Sequence, residues 1–191
     1  MPSISISRTI PLLASITLTA ASLLFPFWVI SMKAPFIQEP IIIGIYPLQG
    51  LVGDLQNLNI VNHYVGLGEI KPENIPELQF IPLLYALYIL LIAVIAFYNG
   101  RNNKLFKALL TVYIILLSAL PVYSYMWMYR YTHTIDPKAP IKLEPFDPPF
   151  FGVYRLANFD IVSYLGPAFF LPLIAAIVQI AIHIRRRRRY S

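Results

Sequence analysis

Cysteine is absent from this 191-residue sequence, and charged residues are scarce. Without cysteine the chain has no disulfide scaffold, no thiolate metal site, no c-type haem attachment and no thiol redox chemistry. Charged residues make up 13% of the sequence, whereas soluble domains usually contain about 25%. Hydrophobic residues make up 58% and the mean hydropathy is +0.64. This composition predicts an integral membrane protein.

Four long apolar runs have lengths close to the ~20 residues that cross a bilayer as a helix. They cover residues 10–31, 80–98, 105–127 and 161–183. Because the runs are continuous rather than alternating, we expect helices and not barrel strands. The first run is too long for the apolar part of a signal peptide, so we expect it to be retained. The predicted fold class is therefore an all-α membrane protein, a single membrane domain (residues 1–191) with four transmembrane helices.

Acidic residues are missing from one predicted membrane face. The basic residues of that face are Arg8, Arg101, Lys104, Lys107, Arg185, Arg186, Arg187, Arg188 and Arg189, while all nine acidic residues lie in the other two loops. Basic flanks face the cytoplasm, so we expect both termini to be cytoplasmic in a multi-pass protein of the plasma membrane. The C-terminal arginines are expected to fix this topology and to contact anionic lipids rather than nucleic acid.

The two predicted outer loops, residues 32–79 and 128–160, are too apolar to be disordered, so we expect them to fold into a small cap. The β-branched run Ile41–Ile45 predicts a strand. Asp54 is a favourable N-cap for a short amphipathic helix that Gly66 would end. Five prolines in the second loop favour extended backbone there.

Imidazole and thioether groups gather in or beside these outer loops. His63, His133, Met126 and Met128 suit Cu(I), for which sulfur and imidazole ligands are typical. If Met126 and Met128 lie on a helix, however, their side chains point about 200° apart. In the competing interpretation, methionine fills gaps and His63 makes a loop hydrogen bond. Hydrolase motifs such as G-x-S-x-G and H-E-x-x-H are missing, so we do not expect an enzyme.

The polar stretch NLNIVNHYVGLGEI and the residues before it resemble a family of small membrane proteins of bacteria and archaea. That family carries G-D-L, a spacer and L-N-H-Y-I-G-M; here the matching residues are Asp54, Asn62, His63, Tyr64 and Gly66. The family's methionine after glycine is Leu67 here, which removes the thioether nearest to His63. The resemblance implies an association with respiratory and copper enzymes, including nitrous oxide reduction.

Taken together, these features predict an accessory subunit or assembly factor of a respiratory or copper-dependent membrane complex. Its expected partners are the lipid bilayer and other membrane subunits. The alternative is an outward-facing copper-handling protein, with copper as the candidate cofactor. A lipid-binding protein or an outward-facing enzyme is the third hypothesis. The layout is also similar to that of claudin-like proteins, in topology only, because the cysteine pair of that family is missing.

Overall fold

The computed structural model describes residues 6–35, 38–99, 102–156 and 158–190. Within them, three strands lie in the N-terminal half of the chain, between α1 and α2, and two lie in the C-terminal half, between α4 and α5. The elements are α1 (Ile6–Ala21), β1 (Trp28–Lys33), β2 (Ile41–Tyr46), β3 (Gly50–Gly53), α2 (Leu55–Val65), α3 (Ile81–Tyr98), α4 (Asn103–Thr132), β4 (Gly152–Leu156), β5 (Phe159–Leu165) and α5 (Pro167–Tyr190). Short 3₁₀ turns lie at Ser22–Leu24, Pro72–Asn74 and Pro76–Phe80.

One five-stranded antiparallel sheet joins the two halves, in the order β3-β2-β1-β5-β4. Its central pair is β1 with β5, in a register that runs from Trp28 opposite Leu165 to Lys33 opposite Asp160. We call residues 27–80 and 133–165 the cap, because they contain the sheet, α2 and the segments that connect them.

The prediction of an all-α protein with four membrane helices is wrong. The described residues form a mixed α/β protein with five α-helices and this sheet. The apolar run 10–31 is helical only in its first part, and the run 161–183 begins as strand β5. Continuous apolar sequence does not distinguish a buried strand from a membrane helix. Strand pairing between these distant segments decides the outcome.

Local chemistry marks both helix-to-strand boundaries. Phe25 is extended, with φ −118° and ψ 160°, as the residue before a proline tends to be. At the other boundary, a Cβ on Gly166 would lie 2.1 Å from the carbonyl oxygen of Pro26. The amide of Gly166 donates instead to the carbonyl of Phe27, at 2.7 Å. Only glycine permits this close approach, which joins the start of β1 to the start of α5.

Three helical segments, Pro76–Tyr98, Asn103–Thr132 and Pro167–Arg188, are long and apolar enough to cross a membrane by length and composition. The helix of the first predicted span is shorter, with an apolar segment Thr9–Leu24. Helix α4 has 30 residues and is therefore roughly 45 Å long. This length exceeds the ~30 Å hydrocarbon core, so its last turns extend into the cap.

Buried tyrosines tie the long helices together. The hydroxyl of Tyr85 donates to the carbonyl of Ala168 at 3.1 Å, and the hydroxyl of Tyr113 donates to the carbonyl of Pro172 at 3.1 Å. In a helix the carbonyl of Ala168 would normally accept the amide hydrogen of residue 172, which proline lacks. Tyr85 therefore satisfies a carbonyl that Pro172 leaves unpaired.

A second buried cluster of polar side chains lies at the same end of the helices as Arg185–Arg188. Gln179 donates to the hydroxyl of Ser15 at 2.9 Å, and Asn99 donates to the side-chain carbonyl of Gln179 at 2.9 Å. The ring nitrogens of His183 lie 3.1 Å from Asn99 Oδ1 and 2.8 Å from Asn103 Oδ1. Gln179 stands alone among apolar residues in the sequence, whereas the fold gives it partners on two other segments.

Candidate functional site

The polar stretch at residues 57–70 forms most of α2 and the turn after it. Asp54 caps the helix by accepting the amide of Asn57 at 3.2 Å. Gly66 ends it in a left-handed conformation, with φ +79°. A Cβ on Gly66 would lie 2.7 Å from the carbonyl oxygen of Asp136, so this glycine also permits contact with the second loop. The predicted helix and both of its caps are confirmed.

The two asparagines on the inner side of α2 hold the following turn in place. The side chain of Asn59 accepts the amide of Ile70 at 2.8 Å and donates to its carbonyl at 3.0 Å. Asn62 is 3% exposed. Its side chain donates to Asn59 Oδ1 at 3.3 Å. These asparagines shape the cap.

His63 and Tyr64 lie on the outer side of the same helix, and both are exposed. Their rings contact each other edge to face. The backbone carbonyl of Tyr64 accepts the amide of Ile141 at 3.0 Å, which fastens the second loop to the helix. The motif is thus divided into an inward structural half and an outward exposed half.

The predicted copper ligands are spread over several environments. His133 Nδ1 donates to the carbonyl oxygen of Tyr129, 2.8 Å away, and the ring of His133 stacks on the Tyr129 ring at the end of α4. Met126 is exposed, whereas Met128 packs against the core, in agreement with their expected 200° separation. Among the described residues, no group of three or more His, Asp or Glu side chains is arranged to hold a metal ion.

Glu69 and Lys71 form an ion pair beside the motif, with Lys71 Nζ 2.8 Å from Glu69 Oε2. The hydrogen bond to Glu69 and the charge of that carboxylate raise the pKa of Lys71. Both side chains are about half exposed, so water screens the pair and it contributes little to stability.

A cavity of about 370 Å³ lies between the sheet, α2 and the end of α4. Alternate residues of the strands point into it, among them Trp28, Ile30 and Ile43, as the two-residue period of a strand requires. Helix α4 lines it with one stripe at helical spacing: Leu120, Tyr123, Ser124, Trp127, Met128 and Tyr131. The inner side of α2 supplies Leu58, Val61 and Asn62.

The second loop closes the cavity because the sheet holds it tightly. Trp28 Nε1 donates to the carbonyl of Phe150 at 3.0 Å and to Ser163 Oγ at 2.9 Å. The rings of Trp28 and Phe150 are stacked with centroids 6.0 Å apart. Pro148 and Pro149 are buried next to this contact. The proline-rich loop therefore forms part of the cavity wall, through Phe146 and Pro149.

The cavity wall is apolar apart from a few side chains. Glu77 is the one charged residue among those that line it within the described part of the chain. Glu77 accepts a hydrogen bond from the hydroxyl of Tyr123 at 2.6 Å, and both side chains are exposed. The cavity wall therefore reaches the surface beside this pair, where α3 and α4 enter the cap, and it does so again at Ile141 and Asn158, which are also exposed.

Sequence reasoning identified α2 but missed the cavity, since its walls come from segments up to 133 residues apart (Trp28 and Ile161). The aromatic and apolar residues at the end of α4, Trp127 to Tyr131, are the one signal in the sequence that points to it.

Comparison of the sequence with known protein families finds no matching family model, and comparison with curated proteins finds no match. The likeness of residues 53–67 to a family of small prokaryotic membrane proteins remains a prediction.

Proposed function

We propose that this protein is a membrane-embedded binding protein whose cap holds an apolar, lipid-like molecule. The observation that supports this most directly is the cavity of about 370 Å³, a volume within the range of roughly 300–1,000 Å³ that ligand sites occupy. Its wall combines a rigid sheet with two helices, and such pre-formed apolar sites bind ligands without large rearrangement. No catalytic step is part of the proposal.

The orientation follows from charge. The exposed arginines Arg185, Arg187 and Arg188 lie at one end of the molecule. The start of α4, with Lys104 and Lys107, lies at the same end, since His183 is 2.8 Å from Asn103 Oδ1. By the positive-inside tendency, we place this end in the cytoplasm and the cap outside, in the plasma membrane. The ligand site then faces the outer leaflet and the space beyond it.

The test uses the two tryptophans of the chain, Trp28 and Trp127, because both line the cavity. A brominated apolar chain that enters the cavity quenches their fluorescence. In a Trp127→Phe background, Trp28 reports alone, and it is buried away from the surrounding lipid. We expect quenching that saturates with probe concentration in protein held in lipid nanodiscs.

A matched pair of substitutions on α2 separates binding from membrane partitioning. Val61 lines the cavity, whereas its neighbour Ile60 is exposed. Val61→Phe should weaken the saturable quenching at least ~10-fold, because the larger ring occupies the space of the ligand. Ile60→Phe should leave it unchanged. Quenching that does not saturate, or that is equal in the two variants, would overturn the proposal.

We also propose that the chain is a subunit of a larger membrane assembly. The outer face of the sheet supports this, since it carries a row of apolar side chains: Val153 (78% exposed), Val162 (42%) and Ile42 (50%). Exposed apolar patches of this kind mark protein interfaces. The double substitution Val153→Lys and Val162→Lys should release the subunits that co-purify with the wild-type chain in mild detergent. A wild-type chain that purifies alone and monodisperse would contradict the proposal of a larger assembly. The respiratory and copper aspects of the expected role stay predictions.

A further inference from the structure

We infer that the cavity selects an uncharged, single-chain ligand, such as a long-chain alcohol or a neutral isoprenoid, and rejects the corresponding carboxylate. This inference rests on the proposed ligand-binding function and names the chemical class of the ligand. It follows from the charge of the wall, the hydrogen bonds of its polar groups, the volume of the cavity and the position of its opening.

The charge of the wall disfavours anions. None of the residues that line the cavity in the described part of the chain is lysine, arginine or histidine, and the one charged residue is the acidic Glu77. A carboxylate inside an apolar cavity without a cation loses its hydration and gains no partner. At the opening it meets a like charge.

Several polar groups of the wall are already engaged. Tyr131 donates to the carbonyl of Gly68 at 2.6 Å, and Thr132 donates to the carbonyl of Tyr129 at 3.2 Å. Asn62 donates to Asn59 Oδ1 at 3.3 Å. Among the described lining residues, Ser124, Trp127 and Asn158 have no side-chain hydrogen bond. A small hydroxyl head group can therefore find a partner, whereas a ligand with several strong polar groups finds few.

The volume limits the ligand to one chain. A dry apolar cavity of about 150 Å³ holds benzene, so a cavity of about 370 Å³ holds roughly fifteen non-hydrogen atoms by the same proportion. That is one chain of about twelve carbons with a small head group. A two-chain phospholipid is much larger.

The opening beside Glu77 and Tyr123 lies toward the expected source of such a molecule. Phe80 and Val122 directly precede Ile81 and Tyr123, which line the cavity, and both are largely exposed. Large exposed apolar side chains beside a membrane helix contact lipid. A chain can therefore enter from the bilayer side while its head group stays near the hydroxyl of Tyr123.

The experiment compares two brominated probes of equal length, a long-chain alcohol and the matching carboxylate, by quenching of Trp28 in the Trp127→Phe protein. At about pH 8 the carboxylate is ionised, and if it bound in the protonated form its affinity would fall by a factor of roughly 10³–10⁴. The loss is smaller when the ionised head group remains at the opening. We therefore expect the alcohol to bind at least ~30-fold more tightly than the carboxylate.

Charge substitution at the opening supplies the control. Glu77→Lys should raise the affinity for the carboxylate, relative to that for the alcohol, by up to about fivefold, as expected for an exposed charge pair. Glu73 is an exposed acidic residue on the preceding 3₁₀ turn and does not line the cavity. Glu73→Lys makes the same change in net charge and should leave both affinities unchanged.

The outcomes separate the two proposals. Equal saturable binding of alcohol and carboxylate would refute the preference for uncharged ligands and leave the binding function intact. The absence of saturable quenching by either probe would refute the binding function itself. An effect of Glu73→Lys as large as that of Glu77→Lys would show that the preference arises from membrane surface charge rather than from the cavity.

Discussion

The hydrogen bond between Tyr85 and Ala168 gives a prediction about how the helices are held together. Tyr85 is fully buried, and its hydroxyl lies 3.1 Å from the carbonyl that Pro172 leaves without an amide partner. Tyr85→Phe removes this partner and should lower the free energy of unfolding by about 1–1.5 kcal/mol. The measurement is reversible unfolding in mixed micelles with a denaturing detergent.

A double-mutant cycle isolates the cause. Pro172→Ala restores an amide hydrogen at position 172, which can pair with the carbonyl of Ala168. In that background Tyr85→Phe should cost close to nothing, which gives a coupling energy of about 1 kcal/mol. Tyr88 donates to Leu116 on another helix, at 3.0 Å, so Tyr88→Phe should show no coupling to Pro172→Ala. If Tyr85→Phe costs the same in both backgrounds, the reasoning is refuted.

Two further predictions concern the cap and its junction with the helices. Asn62→Ala should lower the unfolding free energy by about 1–3 kcal/mol, because it removes the hydrogen bond of a buried side chain to Asn59. His63→Ala, at an exposed position, should change it by less than about 0.5 kcal/mol and should leave Cu(I) binding in a titration unchanged. Similar losses in the two variants would contradict the division of the motif. Gly166→Ala should destabilise by about 3 kcal/mol or more in the same unfolding assay, since its Cβ would lie 2.1 Å from a carbonyl oxygen. Gly68→Ala is the control, because its Cβ would meet the nearest atom at an ordinary 3.8 Å; a mild effect of Gly166→Ala would contradict the argument for close approach.

Local signals in the sequence predicted several elements closely. The apolar run 80–98 corresponds to α3, Ile81–Tyr98, and the strand expected at Ile41–Ile45 is β2, Ile41–Tyr46. The caps of α2 at Asp54 and Gly66 are also as predicted. In each case the residues that decide the conformation are neighbours in the chain, so a short window of sequence contains the cause.

Prediction failed where the decisive contacts are distant. Trp28–Lys33 and Phe159–Leu165 overlap the apolar runs of their neighbouring helices, yet they pair with each other as the central strands of the sheet. Nothing in either segment alone shows that its partner lies about 130 residues away. The all-α expectation was wrong because hydropathy measures burial, and both a membrane helix and a central strand are buried.

The candidate site shows the same division. The sequence singled out residues 57–70 as unusually polar, and the structure divides them into the inward Asn59 and Asn62 and the exposed His63 and Tyr64. The composition by itself determined that the chain is rich in apolar segments of membrane-spanning length, because transfer from water depends on the side chains present. Only the tertiary structure decided that strands from both halves meet above the helices and enclose a cavity. Its walls depend on pairing and packing between residues that no local pattern brings together.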